Sequence, residues 1–90
     1  MSRPLGPHEQ WLALRGAVLG VPIMFSVALK RPDARAEAIR VARVVRQLYE
    51  EAVTQVGEVE AEDLVGSTLR YVQSRLVDLF GGKAWEESAT

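Results

Sequence analysis

Residues 34–59 read ARAEAIRVARVVRQLYEEAVTQVGEV. Within them Ala34, Ala38, Val41, Val45, Leu48, Ala52 and Val59 follow a 4-3-4-3 spacing broken only at Gln55, the period at which one stripe of an α-helix recurs. A second row, Ala42, Tyr49, Val53 and Val56, widens that stripe into a surface made for a core. Arg40, Arg43, Gln47, Glu50, Glu51 and Thr54 lie opposite. Asp33, directly after Pro32, is placed to cap the orphan amides of a first turn. Gly57 is placed to close the last one in a left-handed conformation. The spacing predicts a helix over about 33–56.

The segment after it repeats the pattern. Val65, Leu69, Val72, Leu76 and Leu79 predict a helix over about 61–80, flanked by Thr68 and Phe80 and stopped by Gly81-Gly82. Glu62 and Asp63 fall in its first turn, where carboxylates favour the positive end of the helix dipole. Gly66 inside it weakens the helix by about 1 kcal/mol relative to alanine. Before residue 33, an apolar segment over about 8–30 lies between Pro4-Leu5-Gly6-Pro7 and Pro32. No run alternates apolar and polar residues, so strands have no support. The fold class is therefore all-α: a small bundle of three helices, or four if Pro22 splits the first into about 8–20 and 22–30. Residues 1–7 form an N-terminal arm, 8–82 a single helical domain, and 83–90 a loose polar tail carrying Trp85. There is no internal repeat and no low-complexity tract.

The first segment departs from the amphipathic pattern. Gly16 to Leu29 is uncharged and apolar on every side, and such a helix must be buried on every side, in protein or in lipid. A chain of 90 residues buries only about two-thirds of its unfolded surface, so two amphipathic neighbours cannot enclose it. One cover is a second copy. Gly16 and Gly20, with Ala13 and Ala17 beside them, allow close approach of another helix, and Ala38, Val41, Val45, Leu48 and Ala52 offer a further seam. The charges suggest its direction. Arg35, Arg40, Arg43 and Arg46 precede Glu50 and Glu51 along the second helix and Glu58 just past its end, so an antiparallel pair would set basic half on acidic half. The expectation is an antiparallel homodimer or a higher homo-oligomer. The other cover is a membrane. Trp11 to Leu29 is interrupted by one charge, Arg15, and followed by Lys30, Arg31 and Arg35, which by the positive-inside tendency would stay in the cytoplasm. Against this stand the shortness of the uncharged run, the position of Arg15, and Pro22 near the centre.

Composition removes most chemistry. The chain is 48% hydrophobic and 26% charged, with net charge −1, no cysteine and one histidine, His8. That is a globular profile without disulfides, thiolate metal sites, cysteine nucleophiles or histidine pairs. The acids at Glu58, Glu60, Glu62 and Asp63 lack the glycine and oxygen-ligand pattern of a calcium loop, so no metal, cofactor or catalytic residue is expected. Nucleic-acid binding through the arginine face of the second helix is disfavoured, because Glu62 and Asp63 precede the segment that would read bases. Arg15 is the one candidate for a buried charge, which would require an anionic partner. Asparagine is absent and nine arginines stand against two lysines, a bias suited to a high-GC bacterial or phage genome. No small-x-small cleavage site follows the apolar run, so a cleaved secretory signal is not expected. Together these features point to a non-enzymatic, cytoplasmic scaffold or adaptor that self-assembles and binds through protein contacts. The alternative is an inner-membrane-anchored protein with its C-terminus in the cytoplasm.

Overall fold

The computed structural model describes residues 6–90; residues 1–5 of the expected arm and the His8 side chain lie outside what is described. Helix α1 spans Pro7–Leu29, α2 Ala34–Val56, α3 Glu58–Ala61, α4 Ser67–Phe80 and α5 Gly82–Glu87. A π-helical turn, Glu62–Gly66, joins α3 to α4. The protein is all-α, with no strand among the described residues.

Pro7 opens α1 where its missing amide is no loss. Pro22 sits inside α1 and does not break it. One rung of the hydrogen-bond ladder is absent there, and the packing of Val18, Val21 and Phe25 on either side holds the helix together. α2 begins after Asp33, which occupies the cap position without making a side-chain capping bond; the expected carboxylate cap is absent. α2 ends at Gly57, with φ 88° and ψ 168°. This is the extended positive-φ region open essentially to glycine alone, not the left-handed helical one. The third helical segment starts at Glu58, three residues before the expected point, because this corner needs no linker.

α1 and α2 form an antiparallel hairpin, and the π-turn, α4 and α5 cover one side of it. The shortest dimension of the molecule, 20 Å, is the thickness of two helical layers of about 10 Å each. Between the layers lies one core. α1 contributes Leu14, Val18, Val21, Phe25 and Ala28 on a 4-3-4-3 spacing. α2 contributes Ala38, Ile39, Val41, Ala42, Val45 and Ala52, and Ala61, Val65, Val72 and Leu76 close it from the other layer. The apolar stripe of α4 leaves the core at its end: Leu79 is exposed, and Phe80 packs against the core instead.

The C-terminal residues, expected as a loose tail, are folded. Gly81, with φ 91°, turns the chain into α5, and Ala84 and Ser88 are buried. Three arginines of α2 hold this helix, as set out below.

Leu76 is fully buried, so Leu76→Ala should cost about 2–5 kcal/mol, the range for emptying a packed leucine site. Urea unfolding followed by circular dichroism measures this. A loss under about 1 kcal/mol would mean that α4 does not close the core.

Candidate interaction surface

The most unusual surface lies on α1, on the side away from the core. Leu12, Leu19, Ile23, Met24 and Val27 are all exposed, Leu19 at 65% and Ile23 at 68%. A scattered exposed leucine is ordinary, but five large apolar side chains along one helix form a contiguous patch of the kind that marks an interaction site. Gly16 is exposed and Gly20 half-buried among them. A Cβ built on either would meet nothing within 4 Å, so nothing inside the chain requires these glycines. Each weakens a helix by about 1 kcal/mol against alanine.

The residues grouped from the sequence as one assembly surface separate in the fold. Ala13, Gly16 and Ala17 face solvent, with Gly20 at the margin. Ala38, Val41, Val45 and Ala52 are buried in the chain's own core, and Leu48 is partly buried against it. The α2 seam is thus occupied within one chain, while the α1 surface is open. Arg15 is also open: it is exposed, and its guanidinium lies 5.3 Å from the centre of the Trp11 ring one turn earlier. The expectation of a buried charge there is corrected, because Arg15 sits beyond the edge of the Leu14–Val18 stripe.

The arginines expected to meet a second copy have partners at home. Arg46 Nε donates to Ser88 Oγ at 2.7 Å, and its Nη2 donates to the Trp85 carbonyl at 3.0 Å. Its guanidinium stacks 3.7 Å above the Trp85 ring. Arg43 Nη2 donates to the Glu87 carbonyl at 3.3 Å, and Arg35 pairs with the Glu87 carboxylate. These bonds satisfy carbonyls at the end of α5, where cations also favour the helix dipole. Arg43 Nε is buried without a hydrogen-bond partner. Arg40 pairs with Glu37 at 3.4 Å and is otherwise exposed. Glu50, Glu51 and Glu58 are exposed, Glu51 accepting from Gln55 Nε2 at 3.1 Å.

A polar cluster missed from the sequence lies at the π-turn. The Tyr49 hydroxyl donates to Glu62 Oε2 at 3.2 Å, and Arg70 pairs with Glu62 Oε1. Arg70 holds the Glu62 carboxyl below its ordinary range, chiefly through that hydrogen bond. Loss of hydration raises the Tyr49 hydroxyl, and its bond to Glu62 raises it further. The Glu62 carboxylate occupies the space a Cβ on Gly66 would take, which explains the glycine. Thirteen and eight residues separate these partners, a spacing that no local pattern discloses. Among the described residues, no group of three His, Cys, Asp or Glu side chains could hold a metal ion.

Arg46→Ala should release α5. The expected loss is about 1–3 kcal/mol from the stacked and hydrogen-bonded guanidinium, together with a red shift of the Trp85 emission. Arg46→Lys should rescue little, because a single ammonium cannot reproduce the fork. An unshifted spectrum in Arg46→Ala would contradict the clamp. At the π-turn, a carboxyl with a depressed value contributes stability above its ordinary titration point of 4.5, and that contribution is lost as pH falls through the depressed value. The gap between wild type and Glu62→Gln in urea unfolding should therefore be present at neutral pH and close in acid. Gly66→Ala, by displacing the carboxylate, should abolish the gap at every pH.

Compared with protein-family models, with curated proteins and with solved structures, the chain matches none, so its own residues carry the functional reading.

Proposed function

We propose that this protein is a non-enzymatic helical assembly unit, a scaffold or adaptor that associates with copies of itself and acts by presenting surfaces to protein partners in the cytoplasm. The observation that carries this reading is the open face of α1. Leu12, Leu19, Ile23 and Val27 point outward around two glycines whose missing side chains face empty space. Glycines that weaken a helix without serving its own packing are explained by a second backbone that must come close. The outer surface of α4 mixes charged and polar side chains (Arg70, Gln73, Arg75 and Asp78) with the exposed Tyr71, Val77 and Leu79, a surface suited to presentation.

A second reading rests on one specific observation. Glu9–Leu29 is 21 residues long and apolar enough to cross a bilayer, and only Leu14, Val18, Val21, Phe25 and Ala28 of that stretch are buried inside the chain. A helix largely open to its surroundings is what an anchor requires. Lys30, Arg31 and Arg35 directly after it match the cytoplasmic flank of such an anchor.

Light scattering of the purified protein in detergent-free buffer tests both. Self-assembly predicts a closed oligomer of defined mass, and Ile23→Glu should shift it toward monomer by at least about tenfold in concentration while far-ultraviolet circular dichroism stays unchanged. Solubility only in detergent, with flotation on lipid vesicles, would establish the anchor instead. A stable monomer with no affinity for vesicles would overturn both readings.

A further inference from the structure

The hairpin has two sides, and only one is covered. On the open side a groove of about 600 Å³ runs between the second half of α1 and the first half of α2, lined by Met24, Val27 and Val44 together with Arg31, Arg40, Arg43 and one acid, Glu37. A second, smaller depression continues the same groove between the first half of α1 and the second half of α2, where Ala13, Ala17 and Leu48 lie beside Glu51. The groove therefore has a bulky end with a net positive charge and a small-residue end whose one charge is Glu51, with Gly20 between them.

We infer that this groove is the seam of a two-fold homodimer in which two hairpins stack face to face, α1 on α1 and α2 on α2, each pair antiparallel. The inference rests on the self-assembly reading and specifies its contact. The occupant is fixed by complementarity along the groove. Turning a second copy end for end sets its acidic half on the basic half of the first. On α2, the register that faces Arg40 with Glu51 of the second copy also faces Val44 with Gln47. The two-fold axis then crosses α2 between Val45 and Arg46 and passes near Gly20 on α1. There, Met24 of one copy comes over the shallow Ala17 position of the other. Glycine at the crossing lets the two α1 backbones approach, which accounts for Gly20 as no contact within the chain does.

The area is also suitable. Two helices of 23 residues lying side by side present a face of about 35 by 20 Å, or roughly 700 Å². Specific interfaces bury about 800 Å² per partner. The other two-fold stack of these faces, with its axis along the helices, would lay α1 on α2 of the second copy and bring the Arg31 and Arg40 end onto its own counterpart, and like charges disfavour it. The result is a four-helix layer pair at the centre, with α4 and α5 of each copy on the outside.

Charge reversal distinguishes this seam from any other mode of assembly. The sites are exposed, so folding should survive, and circular dichroism checks that it does. Arg40→Glu and Glu51→Arg should each raise the dimer dissociation constant about tenfold at low salt, measured by sedimentation equilibrium. The double variant should return to within about threefold of wild type. It cannot restore the pair between Arg40 and Glu37 within one chain, so recovery reports the contact between copies. Arg75→Glu, on α4, should leave the constant unchanged. A wild-type dimer whose double variant stays weak would overturn the seam and leave self-assembly standing. A wild-type monomer, or a protein held only by detergent or vesicles, would overturn both.

Discussion

The packing of α1 on α2 governs the rest of the molecule. Leu14, Val18, Val21, Phe25 and Ala28 meet Ala38, Val41, Ala42, Val45 and Ala52 across a hairpin closed by four residues, Lys30 to Asp33. Alanines at three of the five α2 positions let the helices sit close, and this brings Phe25 to the layer above, with its ring edge-on to Tyr71 at 6.4 Å. α4 can cover only one side of the pair. Because α1 is apolar all round, covering one side leaves the other in contact with whatever surrounds the protein. The open groove is the counterpart of that one-sided cover.

The all-α class and the punctuation by Pro32, Gly57 and Gly81 were legible in the sequence because helical spacing and glycine turns are local. The apolar excess of the first segment was legible for the same reason, and the partly uncovered α1 is its physical counterpart. What the spacing of α2 could not disclose was which neighbour its stripe would meet. Ala38, Val41, Val45 and Ala52 suit a helix of the same chain and a helix of another copy equally well, and the choice depends on the hairpin. Pro22 was ambiguous in a similar way: a proline with packed apolar neighbours on both sides can stay within a helix, and only the tertiary contacts decide.

The folded C-terminus was the least legible part. Residues 83–90 are short and mostly polar, and a helix of that length has no stability alone. Its order comes from Arg35, Arg43 and Arg46, whose spacing along α2 suggested a charged face turned toward another molecule. Trp85 was the only local clue, since an aromatic ring in a polar segment usually has somewhere to pack. The cluster of Tyr49, Glu62 and Arg70 gave no clue except Gly66, which reads as a weakness until the carboxylate beside it is seen.

The π-turn at Glu62–Gly66 also fixes the phase of the helix that follows. A π-turn holds one residue more than the α-helix around it, usually the mark of a single insertion within a helix. Each residue in an α-helix advances the chain by about 100° around its axis. Without the extra residue, Val72 and Leu76 would swing about a quarter-turn off the core and Gln73 or Arg70 would turn toward it. The segment is thus a phase-setting device: α3 is positioned by the Gly57 corner and α4 by the hairpin, and the widened turn reconciles the two. A lineage that lost one residue here would have to re-choose the whole inward face of α4, whereas a loop in the same place would tolerate the change.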